Sequence, residues 1–226
     1  MNVMKNLKLL LLAFVVGLAS CGDDDSAVVP LKTTFTFDVA LNTTASSFLD
    51  FQSGFMVLRE IVWDGTLAGS ATKTSVTQSQ ITTFDIATGL ATPASPVVDI
   101  APGVYSNIAM GLELQDNGVD PNTVLIGEFT ASDGSKTPIK FIFDSGEVFE
   151  ATLTNLTIVQ GSNHKCTLMV DPMKWFASVT QAELEDATLD GSGMIVLSES
   201  VNTATYDKVE TAILNTIDTN ATISCQ

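Results

Sequence analysis

Between Val104 and Leu114 the chain reads V-Y-S-N-I-A-M-G-L-E-L, and this stretch constrains the fold more tightly than any other. Val104, Ser106, Ile108, Met110, Leu112 and Leu114 fall on one face at period two, with Tyr105, Asn107, Ala109, Gly111 and Glu113 on the other. A helix, repeating every 3.6 residues, scatters such a set around its axis, whereas a strand keeps it on one side. Pro102-Gly103 predicts a turn into this strand, because proline presets one torsion and glycine accepts a positive φ at the next.

The same period recurs along the chain. Phe35, Phe37, Val39 and Leu41 alternate with Thr36, Asp38 and Ala40, which predicts a half-buried strand from Thr33. Gly54–Asp64 is apolar on both sides apart from Arg59 and Glu60, the pattern of a central strand. Strands are also expected at Thr123–Ala131, Pro138–Asp144, Val148–Val159 and Lys165–Val170. Turns separate them at Asp116–Asn122, Asp133-Gly134 and Gly161-Ser162-Asn163. This spacing argues for a mainly β fold, an antiparallel β-sandwich. Towards the C-terminus, Thr180-Gln181-Ala182-Glu183 has the spacing of a capping box opening a short helix. From Asn202, the residues Tyr206, Val209, Ile213 and Ile217 define one amphipathic C-terminal helix that would cover a sheet edge or an open end. Ala221–Cys225 then returns as a strand, and residues 33–226 are expected to form a single β-sandwich domain. The Pro102-Gly103-x-Tyr105 turn heading an alternating strand resembles transthyretin-like sandwich modules, among them lipoproteins of unknown function. An immunoglobulin-like outline fits the same strand pattern.

At the N-terminus Lys5 and Lys8 precede an uninterrupted apolar run, Leu9–Ala19, which ends in small residues before Cys21. This is the layout of a secretory signal peptide over residues 1–20, and the run is far short of the roughly 20 residues a spanning helix needs. Leu18-Ala19-Ser20-Cys21 resembles the lipobox of bacterial lipoproteins. The resemblance implies cleavage before Cys21 and lipidation of its thiol with acyl chains such as palmitate. At roughly 0.8 kcal/mol per buried methylene, several chains anchor stably where one is marginal. Gly22 follows the cysteine where an aspartate would imply inner-membrane retention, so the resemblance implies the outer membrane. Asp23-Asp24-Asp25 is similar to a Bacteroidetes-type export signal that directs lipoproteins to the cell exterior. A solvated charge run that keeps a linker extended has the same composition. Residues 21–32 read as a lipidated cysteine and flexible acidic tether, roughly 18 Å end to end.

The chain has 26 acidic against 10 basic residues, for a net charge of −16, so no basic patch can be built to bind nucleic acid. The partners expected are the membrane, through the anchor, and a glycan or outer-membrane protein. With Cys21 acylated, Cys166 and Cys225 remain, and an oxidising compartment favours a disulfide between them over two buried thiols.

No catalytic set is legible. The single histidine, His164, sits in a turn without a nucleophile elbow, and solvated turn histidines are the common case. Glu147 and Glu150 would face opposite sides of a strand. If there is a cofactor, calcium suits best, because Asp116, Asn117, Asp120 and Asn122 place oxygen side chains in one loop. The same side chains also serve a loop by bonding its own backbone. Trp175 and Phe176, with Tyr105, are candidates to stack a sugar, although Trp175 and Phe176 would equally plug the sandwich end beneath the C-terminal helix. The expectation is a non-catalytic surface lipoprotein binding glycan, matrix or a protein partner. A structural or accessory subunit of an outer-membrane or fimbria-like complex is the alternative, and a hydrolase using dispersed carboxylates the third.

Overall fold

Alternation on this scale produces long strands, and the longest organises the molecule. The computed structural model describes residues 33–42, 44–118, 120–220 and 222–225. Residues 1–32, expected to comprise a signal peptide, the lipidated Cys21 and an acidic tether, lie outside the described residues. β2 (Leu49–Leu67) spans 19 residues and holds neighbours on both edges. One edge pairs with β3 (Lys73–Asp85). The other is shared end to end, first by β7 (Thr123–Thr130) along Leu49–Met56 and then by β6 (Gly103–Leu114) along Leu58–Leu67. β8 (Lys136–Phe143) adds to β7 and β9 (Val148–Ile158) to β6. β11 (Ile195–Leu197) and the short β4 (Ala91–Thr92) close the outer positions of this eight-stranded sheet. Close approach makes glycine obligatory at Gly54, where φ is +151° and a Cβ would lie 2.0 Å from the Val124 carbonyl oxygen.

The second sheet has four strands. They run β12 (Thr222–Cys225), β10 (Asn163–Val170), β1 (Thr33–Leu41) and β5 (Val97–Ile100). Phe35, Phe37, Val39 and Leu41 of β1 are buried in one core together with Leu58, Ile61 and Trp63 of β2, a sandwich-like arrangement. The fold is mainly β, as the alternation requires, but not wholly antiparallel. β1 runs parallel to β10, and β11 parallel to β8. Parallel neighbours need long connections, which strand periodicity alone does not reveal.

Cys166 and Cys225 face each other across β10 and β12 and form a disulfide with a sequence separation of 59. Among the described residues, three helices complete the fold. α1 (Pro172–Trp175) is a single turn that the sequence pattern did not disclose, and α2 (Gln181–Glu185) opens on the expected capping box of Thr180 and Glu183. α3 (Thr203–Asn220) buries Tyr206, Val209 and Ile213.

β6 departs from strict alternation at one point. Tyr105 is buried together with Ile108, Met110, Leu112 and Leu114, whereas Val104 is 48% exposed. Asn107 takes a φ of +51°, and the register with β2 slips between Asp64 and Thr66. This bulge absorbs one residue and reverses the faces before it.

Candidate functional site

β6 and β7 lie along the same edge of β2, so the segment between them leaves the sheet and returns without reversing direction. A single β2 residue holds both its ends. Val57 accepts a hydrogen bond from the Gln115 N–H at 2.9 Å and donates its own N–H to the Asn122 carbonyl at 2.7 Å. The link from β8 to β9 breaks at the same level, where the Leu114 N–H donates to the Glu147 carbonyl. The two breaks are tied together by Asn122, whose Nδ2 donates to the Ser145 carbonyl at 2.7 Å and to Asp144 Oδ1 at 3.3 Å. Within the loop, Asn117 Oδ1 accepts the Asp120 N–H at 3.0 Å, an Asx turn that sets the loop's curvature.

The loop leans over the outer face of β2 and β3 and encloses an open cleft of about 460 Å³. Its floor is apolar except for Thr83, which stands opposite Val57 on β3. Phe55 and Val57 alternate with the buried Met56 and Leu58, so they point away from the core, and Ile81 beside them on β3 is 60% exposed. Gln115, Asn117 and Asp120 supply a polar wall. Phe55 was not singled out in the sequence, because a stretch apolar on both faces reads as a strand buried on both faces. The outer face of this strand instead floors a surface cleft.

Negative charge gathers behind the wall. Burial, reinforced by the nearby Asp116, Glu199 and Asp120 carboxylates, pushes the Asp144 carboxyl above the ordinary aspartate range. Of these carboxylates only Asp120 lines the cleft itself. The four side chains considered for calcium share this loop, but both asparagines are engaged within it. Asn122, only 1% exposed, uses Nδ2 as described and accepts the Thr123 hydroxyl at Oδ1, and Asn117 holds the Asx turn. Among the described residues no group of three or more His, Cys, Asp or Glu side chains is placed to hold a metal ion.

The rings expected to stack a sugar are core residues. Trp175, Phe176 and Tyr105 are 5%, 3% and 1% exposed. Pro172 starts the single turn of α1 and folds the chain back, so Trp175 stacks on Phe149 at 6.3 Å and Phe176 packs on Phe51 at 4.9 Å. Tyr105 meets Trp63 edge-on at 5.0 Å and donates its hydroxyl to the Ala101 carbonyl, and burial pushes its pKa up. His164 is not a free turn residue either. It belongs to β10, stacks on Phe35 at 4.8 Å and lies 2.9 Å from Ser162 Oγ through Nε2. The Ser162 hydroxyl is directed to the Val159 carbonyl at 2.7 Å. Glu147 and Glu150 do not converge on the cleft lining.

Comparison with protein-family profiles, with curated proteins and with solved structures returns no match. Among the described residues no helix is long and apolar enough to cross a membrane.

Proposed function

We propose that this chain is a non-catalytic surface lipoprotein, anchored through Cys21 to the outer membrane and facing outward, whose domain binds neutral glycan in the β2–β3 cleft. The observation that carries this reading is the pairing of an apolar floor with a polar wall. Sugar rings present C–H faces that pack on apolar and aromatic surface, and hydroxyls that suit amide and carboxylate groups. Phe55, Val57 and Ile81 offer the first, and Gln115, Asn117 and Asp120 the second. The Asp120 carboxylate in the wall disfavours sulfated or phosphorylated ligands, and an apolar floor favours the C–H face of a neutral sugar over a hydrated cation.

The test is a glycan array followed by calorimetry on the best hit. Phe55→Ala and Asp120→Ala should each weaken binding by roughly tenfold, the loss of one well-placed contact, with the melting temperature unchanged. Affinity indifferent to both substitutions would overturn the assignment of the cleft. Mass spectrometry of the native protein should find a diacylglycerol thioether at Cys21, and an unmodified sulfur would remove the membrane address.

A further inference from the structure

One long strand edge of the larger sheet is open. β3 pairs with β2 along its inner edge from Lys73 to Asp85, while β4 meets its outer edge only at Thr83 and Phe84. Gln80 Nε2 and the Thr82 hydroxyl donate to the Ala94 carbonyl and extend this cover a little further. From Lys73 to Ser79 no described residue hydrogen-bonds to the outer edge, so alternate backbone N–H and C=O groups face solvent. The other outer strands are protected differently. β4, β5, β11 and β12 are 2, 4, 3 and 4 residues long, and α3 packs against β9.

The composition of this edge is unusual for the chain. Lys73-Thr74-Ser75-Val76-Thr77-Gln78-Ser79 contains no Asp, Glu, Pro or Gly in a protein with 26 acidic residues. Edges that must stay single are commonly blunted by central charges, proline or bulges. Here the one charge stands at the end, where Lys73 pairs with Asp64 at 2.7 Å.

We propose that this edge pairs antiparallel with the same edge of a second copy, about a twofold axis through Val76. In that register Val76 faces Val76, Ser75 faces Thr77, Thr74 faces Gln78 and Lys73 faces Ser79. Each opposite pair shares a face, and hydroxyl and β-branched cross-strand pairs of this kind are favourable. Charge also matches. The Ser79 hydroxyl donates to Glu60 at 2.9 Å, so the lysine of each copy would stand between its own Asp64 and the other copy's Glu60 and be shared by both carboxylates. No acidic side chain of the edge meets another, despite the net charge of −16. A twofold contact uses up both edges, so assembly stops at a dimer.

Sedimentation equilibrium of the full chain over a concentration series should show a reversible dimer. Ser75→Lys with Thr77→Lys places like charges opposite each other twice across the axis. Both side chains are exposed, so the melting temperature should hold while the dimer dissociation constant rises by roughly tenfold or more. In a Cys21→Ser background, Val76→Cys should cross-link to itself on oxidation, whereas a cysteine at the 69%-exposed Leu90 should not. A chain that stays monomeric throughout the series, or a dimer indifferent to the two lysines, would overturn the proposal.

Discussion

The two halves of β2 are packed by different means. Along its second half the cover is another sheet: β1 and β5 lie against β2 and β3, and Met110 Sδ of β6 sits 3.8 Å from Cys225 Sγ of the disulfide. Along its first half the cover is helical. Phe51 packs on Phe176 after α1, and Phe141 of β8 meets both Phe176 at 5.5 Å and Tyr206 of α3 at 5.9 Å. One half is held by backbone ladders and a covalent tie, the other by aromatic rings that arrive from distant parts of the chain. The contrast shows why a single long strand can serve two packing schemes. Its inward residues only need to be large and apolar, and what covers them is decided elsewhere.

The contrast can be broken most forcefully at the disulfide. Cys166→Ser with Cys225→Ser releases a link of separation 59 and should lower unfolding stability by about 4 kcal/mol on the chain-entropy account, read from urea titration. A loss under about 1 kcal/mol would mean that the ladder from β12 to β10 holds the smaller sheet without its staple. The aromatic half has its own weak point. Phe141→Ala empties a site of 0% exposure and should cost about 3 kcal/mol, with hydrogen exchange rising first in α1 and α3. Equal loss of protection in β1 and β10 would show the halves to be one cooperative unit.

Smaller effects sharpen the same picture. Lys208 of α3, followed by the Thr180 amide and hydroxyl, holds the Glu183 carboxyl down at about 2, so one capping box also ties α2 to α3. Thr180→Ala should therefore cost about 1 kcal/mol, confined in hydrogen exchange to this helical cover. Least of all, Asp144→Asn should raise the melting temperature at pH 7 by about 1 °C. The folded pKa of Asp144 is raised, so the wild type loses stability as pH rises through that value, and the gap should close below it. A gain that persists in acid would place its origin in packing rather than charge.

Much of this architecture could be read from spacing alone. Phe35 to Leu41, Thr123 to Thr130 and the Thr180–Glu183 box announced their elements because one local pattern decides each. β3 escaped notice because Lys73–Gln80 is polar apart from the partly buried Val76, and a single apolar residue creates no period. The reversal at Asn107 was equally invisible, since a bulge depends on the partner's register and leaves no mark in composition. The aromatic candidates failed for a related reason. A tryptophan beside a strand end looks the same whether the next turn exposes it or tucks it under a helix, and only the one-turn α1 decides. The acidic loop was identified as a place of interest, but its asparagines turned out to shape the loop, and the ring at its foot came from an outward position of β2.

Because both feet of the Gln115–Asn122 excursion rest on Val57, the strands on either side are aligned through one backbone position. The turning of the chain is accomplished elsewhere, at the hairpins. Asn122 limits that freedom, because its amide joins this segment to the β8–β9 link, and any exchange of the residues between the two feet has to leave that side chain in place.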